Sequence, residues 1–101
     1  NTQTYLATLA AYAHSKNLAI GLKNNPNLVN MMYSYHDFSV VEQCHEFQEC
    51  PAYQVMVSTN KPVWQIEYNG TLTAVCNAAA IRNFDAQKKT LALSATGTQC
   101  R

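Results

Sequence analysis

Phe38-Ser39-Val40-Val41-Glu42-Gln43-Cys44 is the stretch on which the fold turns. It is a short apolar run that delivers one carboxylate to its end, and Cys50 follows Cys44 six positions later. Runs of this kind suit parallel sheets covered on both faces. Parallel α/β folds place their chemistry where strands end and the next loops begin, so Glu42 is expected at a functional strand end.

Upstream, Leu6, Leu9, Ala10 and Ala13 fall at the i, i+3, i+4, i+7 spacing of one helical face and predict a helix over Thr2 to Lys16 that packs on something. Leu18 to Leu22 reads as a short strand ended by Lys23-Asn24-Asn25-Pro26. Asn25 can cap, and Pro26 can open, a second helix through Leu28, Val29 and Met32. Downstream of Cys50 a third helix carries Tyr53, Met56 and Val57 on one face and breaks at Asn60-Lys61-Pro62. Val63 to Tyr68 is strand-like, its proline placed before it where a missing N–H does least harm, and Asn69-Gly70 turns the chain. A fourth helix is expected over about Thr73 to Arg82 and a last strand over Thr90 to Ser94.

The alternation predicts about four parallel strands joined by right-handed crossovers. Four such strands alone expose one sheet face and two edges. The 101 residues are therefore read as one partial domain, the C-terminal half of a (β/α)8 TIM barrel, a fold that needs roughly 250 residues. The N-terminal half is expected on polypeptide upstream of Asn1 or on a neighbouring chain. With no initiating Met and no basic, apolar leader, the chain reads as a mature or excised piece.

Net charge is +1 and charged residues make up 13%, against about 25% in ordinary soluble domains. Neither a nucleic-acid partner nor a membrane surface is indicated, and no apolar run nears the roughly 18 residues of a membrane span. Glycine is too scarce for a phosphate-cradling loop and no dinucleotide or P-loop motif exists, so no cofactor is assigned. His14, His36 and His45 show no metal spacing. Cys44, Cys50, Cys76 and Cys100 allow three pairings. Their even count, beside the Asn69-Gly70-Thr71 acceptor sequon for an N-glycan, favours an oxidising compartment and a secreted, extracellular glycoprotein. Cys44 with Cys50 and Cys76 with Cys100 are favoured, the first because its loop closes easily, the second because it ties the last helix to the tail. Zinc is the rival use of Cys44, His45 and Cys50, but Cys-x5-Cys matches none of the usual ligand spacings, so no metal is assigned.

Three short motifs in order, Gly21-Leu22-Lys23-Asn24, Val41-Glu42-Gln43-Cys44 and Ile66-Glu67-Tyr68, resemble the endo-α-1,4-polygalactosaminidases, glycoside hydrolase family 114, from about Tyr5 to Tyr68. The resemblance implies the same two disulfides and hydrolysis of α-1,4-linked galactosamine-containing polysaccharide once the barrel is complete. Glycosidic cleavage typically uses two carboxyl groups, one protonating the leaving oxygen and one acting as nucleophile or base. Glu42 matches a catalytic Glu of the family, and either role fits it. The family's partner Asp lies on an earlier strand with no counterpart here.

Lys23, Gln43, Glu67 and Tyr68 are expected at the substrate, with Glu67 a substrate or supporting residue and Tyr68 stacking on a sugar; Trp64, mid-strand, is expected in the core. A Lys23 ammonium within about 4 to 6 Å would favour the ionised form of Glu42. Glu42, Glu46, Glu49 and Glu67 together would make an anionic face for an ammonium-bearing sugar. Two departures stand out: Val41 where the family commonly has Asn, and an apolar Thr90-Leu91-Ala92-Leu93 where polar residues are expected. Both weaken the enzyme reading, and Val41, the sequon and the low charge lean to a second one, a catalytically silent carbohydrate-binding or structural glycoprotein unit assembled with another chain.

Overall fold

A computed structural model describes residues 2–90 and 97–100 of the chain. Helix α1 (Thr2–Ser15) leads to strand β1 (Gly21–Lys23), a 3-10 turn (Pro26–Leu28) and the short helix α2 (Val29–Met32). Strand β2 (Phe38–Glu42) is followed by the loop to a second 3-10 turn (Cys50–Tyr53), helix α3 (Gln54–Ser58), strand β3 (Val63–Glu67), helix α4 (Leu72–Arg82), and strands β4 (Asp85–Lys88) and β5 (Thr98–Gln99). Among the described residues the sheet has five strands in the order β1-β2-β3-β4-β5. The first three pairings are parallel and the last is antiparallel. Both expected disulfides are present, with Cα–Cα distances of 4.7 Å for Cys44–Cys50 and 5.1 Å for Cys76–Cys100.

Successive strand residues point to opposite faces, and here the two faces differ. Leu22, Ser39, Val41, Val63, Gln65, Glu67 and Ala86 are buried. The apolar members of that set form one core with Val29 and Met32 of α2, Tyr53, Met56 of α3, Val75 and Ala79 of α4, and Phe84. Burial pushes the Tyr53 phenol up to about 12, with the charge of Glu49 adding to the effect. Phe38, Val40, Glu42, Trp64, Ile66 and Gln87 take the other face, and none of them is buried. A Cβ at Gly21 would overlap the Phe38 ring, so this glycine lets the aromatic side chain lie across the β1 edge. That ring also tilts against Trp64, centroids 4.7 Å apart.

The sheet is covered on one face only, as the four-strand count implies. Several other sequence expectations need correction. Trp64 is 43% exposed on the open face instead of buried. The first strand forms later and shorter than Leu18 to Leu22, and Leu18 itself is exposed. Asn25 stands at the cap position but adopts the left-handed conformation, φ 68°, and makes no side-chain cap. On the predicted face of α1, Ala10 is buried, Leu6 packs against the core and Ala13 is half-buried, whereas Leu9 is exposed. Residues 91–94 of the expected last strand lie outside the described residues. The fourth strand is Asp85–Lys88, whose Ala86 alone faces the core.

Candidate functional site

Parallel pairing brings the C-terminal ends of β1, β2 and β3 to one end of the sheet, with Lys23 beside Val40 and Glu42 beside Ile66. Glu42 closes β2 on the open face. Its backbone N–H donates to Asn24 Oδ1 at 2.8 Å, and its Oε1 accepts from the Tyr68 hydroxyl at 2.9 Å. Lys23 Nζ lies 3.9 Å from Oε2, the lysine side chain 67% exposed and the glutamate 24%. Tyr68 continues the alternation that puts Trp64 and Ile66 on the open face, next to Glu42. Its phenol is raised above the ordinary value, first by desolvation and then by the hydrogen bond and charge of Glu42, so it remains a proton donor across the neutral range.

Gln43 follows in the left-handed conformation, φ 62°, and its N–H extends the ladder to the Ile66 carbonyl at 2.8 Å. Its side-chain amide donates to Glu46 Oε1 at 3.2 Å, and Asn69 Nδ2 donates to the same oxygen at 2.8 Å. These two amides, Asn69 first, hold the exposed Glu46 carboxyl below the usual range. The loop after β2 is thereby joined to the turn after β3.

Glu67 is placed differently from Glu42. It is fully buried on the helix-covered face, where its carboxylate accepts from Gln65 Nε2 at 2.8 Å and from the backbone N–H groups of His45 at 2.9 Å and Glu46 at 3.4 Å. The anionic face therefore loses Glu67. Glu49 is exposed in the stapled loop, which leaves Glu42 and Glu46 at the mouth, next to the ammonium of Lys23. Val41 is buried on the helix side, so its departure from the family pattern does not alter the face that Glu42 occupies. Cys44 Sγ, Cys50 Sγ and a Glu67 oxygen lie within 4.8 Å of one another, but the disulfide uses both sulfurs that a metal would need.

The arrangement offers one oriented carboxylate with a phenol donor on one oxygen and a cation near the other. Asp37 precedes β2 and Asp85 begins β4, both at the opposite end of the sheet. Among the described residues no second carboxyl group hydrogen-bonds with Glu42 or with Tyr68. The sequence reading missed Asn24 as a partner of Glu42 and took Tyr68 as a stacking platform. The register that sets Glu42 beside Ile66, two residues before Tyr68, is the signal that brings the phenol into reach.

A family model described as glycoside-hydrolase family GH114 matches residues 1–101. Among solved structures, Aspergillus fumigatus Ega3 in complex with galactosamine matches with a TM-score of 0.85 and 31% sequence identity, over 97% of this chain and 44% of that one. The strands and helices described above thus correspond to a fragment of a TIM barrel, and the chain spans less than half the length of that relative. The search of curated proteins found no match.

Proposed function

This chain belongs to glycoside-hydrolase family GH114, and from that premise we propose that it supplies one of the two catalytic carboxyl groups, Glu42, of an enzyme that hydrolyses α-1,4-linked galactosamine-containing polysaccharide. The single observation that carries the reading is the setting of Glu42 at the end of β2 on the open face, with Tyr68 on Oε1 and Lys23 near Oε2. Galactosamine as the sugar rests on the ligand of Ega3. The second carboxyl group comes from polypeptide that completes the barrel, upstream or on a neighbouring chain, and stands about 5 to 10 Å from Glu42. Lys23, Gln43 and Tyr68 line the substrate, and Glu67 supports the loop that carries Gln43 and Glu46. The two disulfides suit an extracellular setting, and among the described residues no helix is long and apolar enough to cross a membrane. Asn69 is the glycan acceptor; because its Nδ2 faces Glu46, an occupied sequon stands at the rim of the site.

The test is release of soluble oligosaccharide from a galactosamine polymer by protein that includes the completing half, wild type beside Glu42→Gln. Activity in the wild type and a loss of at least about 100-fold in the variant are expected, because the amide can neither attack nor exchange a proton. Equal release by both, or none by either, removes the enzyme reading. It would leave the second one, a silent carbohydrate-binding or structural unit, which the exposed Trp64, backed by the half-buried Phe38 ring, favours. Intact mass after deglycosylation addresses the missing half, and a species well above 11.3 kDa is expected.

A further inference from the structure

The end of β1 departs from a regular parallel ladder at one step. Lys23 is its last strand residue, yet the N–H of Asn24 still donates to the Val40 carbonyl at 2.8 Å, as the next rung would. In a continuing ladder the Glu42 N–H would then meet the backbone carbonyl of residue 24. Asn24 instead has φ 54° and Asn25 φ 68°, left-handed conformations that take the backbone out of the strand and that Asn tolerates better than most residues. The acceptor for Glu42 N–H is the side-chain Oδ1 of Asn24, at 2.8 Å.

We propose that Asn24 is a positioning residue for Glu42, its side-chain amide oxygen replacing the missing backbone rung. The clamp lets the chain turn sharply toward Pro26, clearing the mouth of the site, while the Cα of Glu42 stays in sheet register. A carboxylate held only by Tyr68 at its tip would swing about its own backbone. Held at the main-chain N–H by Asn24 and at Oε1 by Tyr68, it keeps one orientation. The clamp itself is a local geometric claim; its catalytic meaning rests on the glycosidase reading.

Two substitutions separate the side-chain acceptor from the backbone conformation. Asn24→Gly keeps the positive φ without strain and deletes Oδ1, whereas Asn24→Asp keeps an acceptor oxygen. In amide hydrogen exchange on the full chain, Asn24→Gly is expected to speed exchange of the Glu42 N–H at least about tenfold while the Gln43 N–H, bonded to Ile66, keeps its rate. Asn24→Asp is expected to restore protection. The cross-relaxation signal between the Tyr68 ring and the Glu42 methylenes should weaken in the Gly variant and return in the Asp variant, a pattern that general loss of stability would not give. Unchanged Glu42 exchange in Asn24→Gly, or exchange in Asn24→Asp as fast as in the Gly variant, overturns the clamp. Wild-type protein without hydrolytic activity would sink the enzyme reading alone, since these signals are read without substrate.

Discussion

The phenol of Tyr68 and the carboxylate of Glu42 form a pair in which the proton stays on Tyr68, because desolvation and the neighbouring charge both raise the phenol. Tyr68→Phe removes that donor and little else. A hydrogen bond to a charged acceptor is worth about 1.5 kcal/mol or more, so kcat/KM on galactosamine polymer is expected to fall roughly tenfold. Steady-state rates of the purified variant check this, and an unchanged kcat/KM would mean that the phenol does not act through Glu42. Glu67 presents the opposite case, a carboxylate whose acceptors are spent on the fold. Glu67→Ala leaves the N–H groups of His45 and Glu46 without their partner in a buried place, with an expected cost of about 3 kcal/mol. Glu67→Gln, which still accepts, should lose clearly less. Denaturant midpoints distinguish the two, and equal losses would show that the carboxylate does not organise the loop. The position of Glu42 at a strand end was legible in the sequence. The inward turn of Glu67 was not, because Trp64 and Ile66 are as apolar as Val63 and alternation alone does not say which face the helices cover.

At the scale of elements, β2 and β3 could be read because their runs are apolar and β-branched, whereas β4 could not. Only Ala86 of Asp85-Ala86-Gln87-Lys88 meets the core, so nothing in its composition marks a strand, and its place follows from pairing with β3. Strand β5 is two residues long; its tether through Cys100 to α4 was legible in the cysteines, but its pairing with β4 was not. Gly21 tests the joint between β1 and β2. Gly21→Ala drives a methyl group into the Phe38 ring, and overpacking of this kind costs typically about 1 to 3 kcal/mol. The melting temperature should fall, and Phe38→Leu in the same chain should recover part of it by freeing the space; no recovery would place the strain elsewhere.

Helix α1 is tied down near its end by Asp37, whose carboxylate accepts from the Ile20 N–H and meets His14 Nε2, both at 2.8 Å. Those contacts, the Ile20 N–H first, lower the Asp37 pKa from its ordinary value. A carboxyl group depressed in the folded state stabilises above its unfolded pKa, near 4, and that contribution disappears as pH falls through the lower folded value. With the Asp37 side chain 39% exposed, solvent screening limits the effect to less than about 1 kcal/mol. Melting temperatures of wild type and Asp37→Asn should therefore differ at pH 5 and converge as pH falls through the lowered folded value of Asp37. A gap that persists at low pH would assign the difference to packing instead of charge.

The whole molecule is asymmetric in a way that only its open face explains. Helices cover one side of the sheet, and among the described residues its two edges are β1, three residues long, and β5, two residues long and paired along β4. An additional strand can join at β1, and helix α1 carries Tyr5, Leu9 and Tyr12 exposed on its surface. A barrel completed in that direction would turn Phe38, Val40, Trp64 and Ile66 from a wetted surface into barrel interior, where side chains fill the space in packed layers. Trp64 is the single tryptophan of the chain and reports on this directly. In the isolated 101-residue chain its emission should be that of a hydrated indole and should be quenched readily by acrylamide. In protein that includes the completing half, the emission should move to shorter wavelength and quenching should fall several-fold. If the isolated chain is a monomer by sedimentation and its indole is already shielded, the face is not open in solution. The second carboxyl group would then have no wall to arrive on.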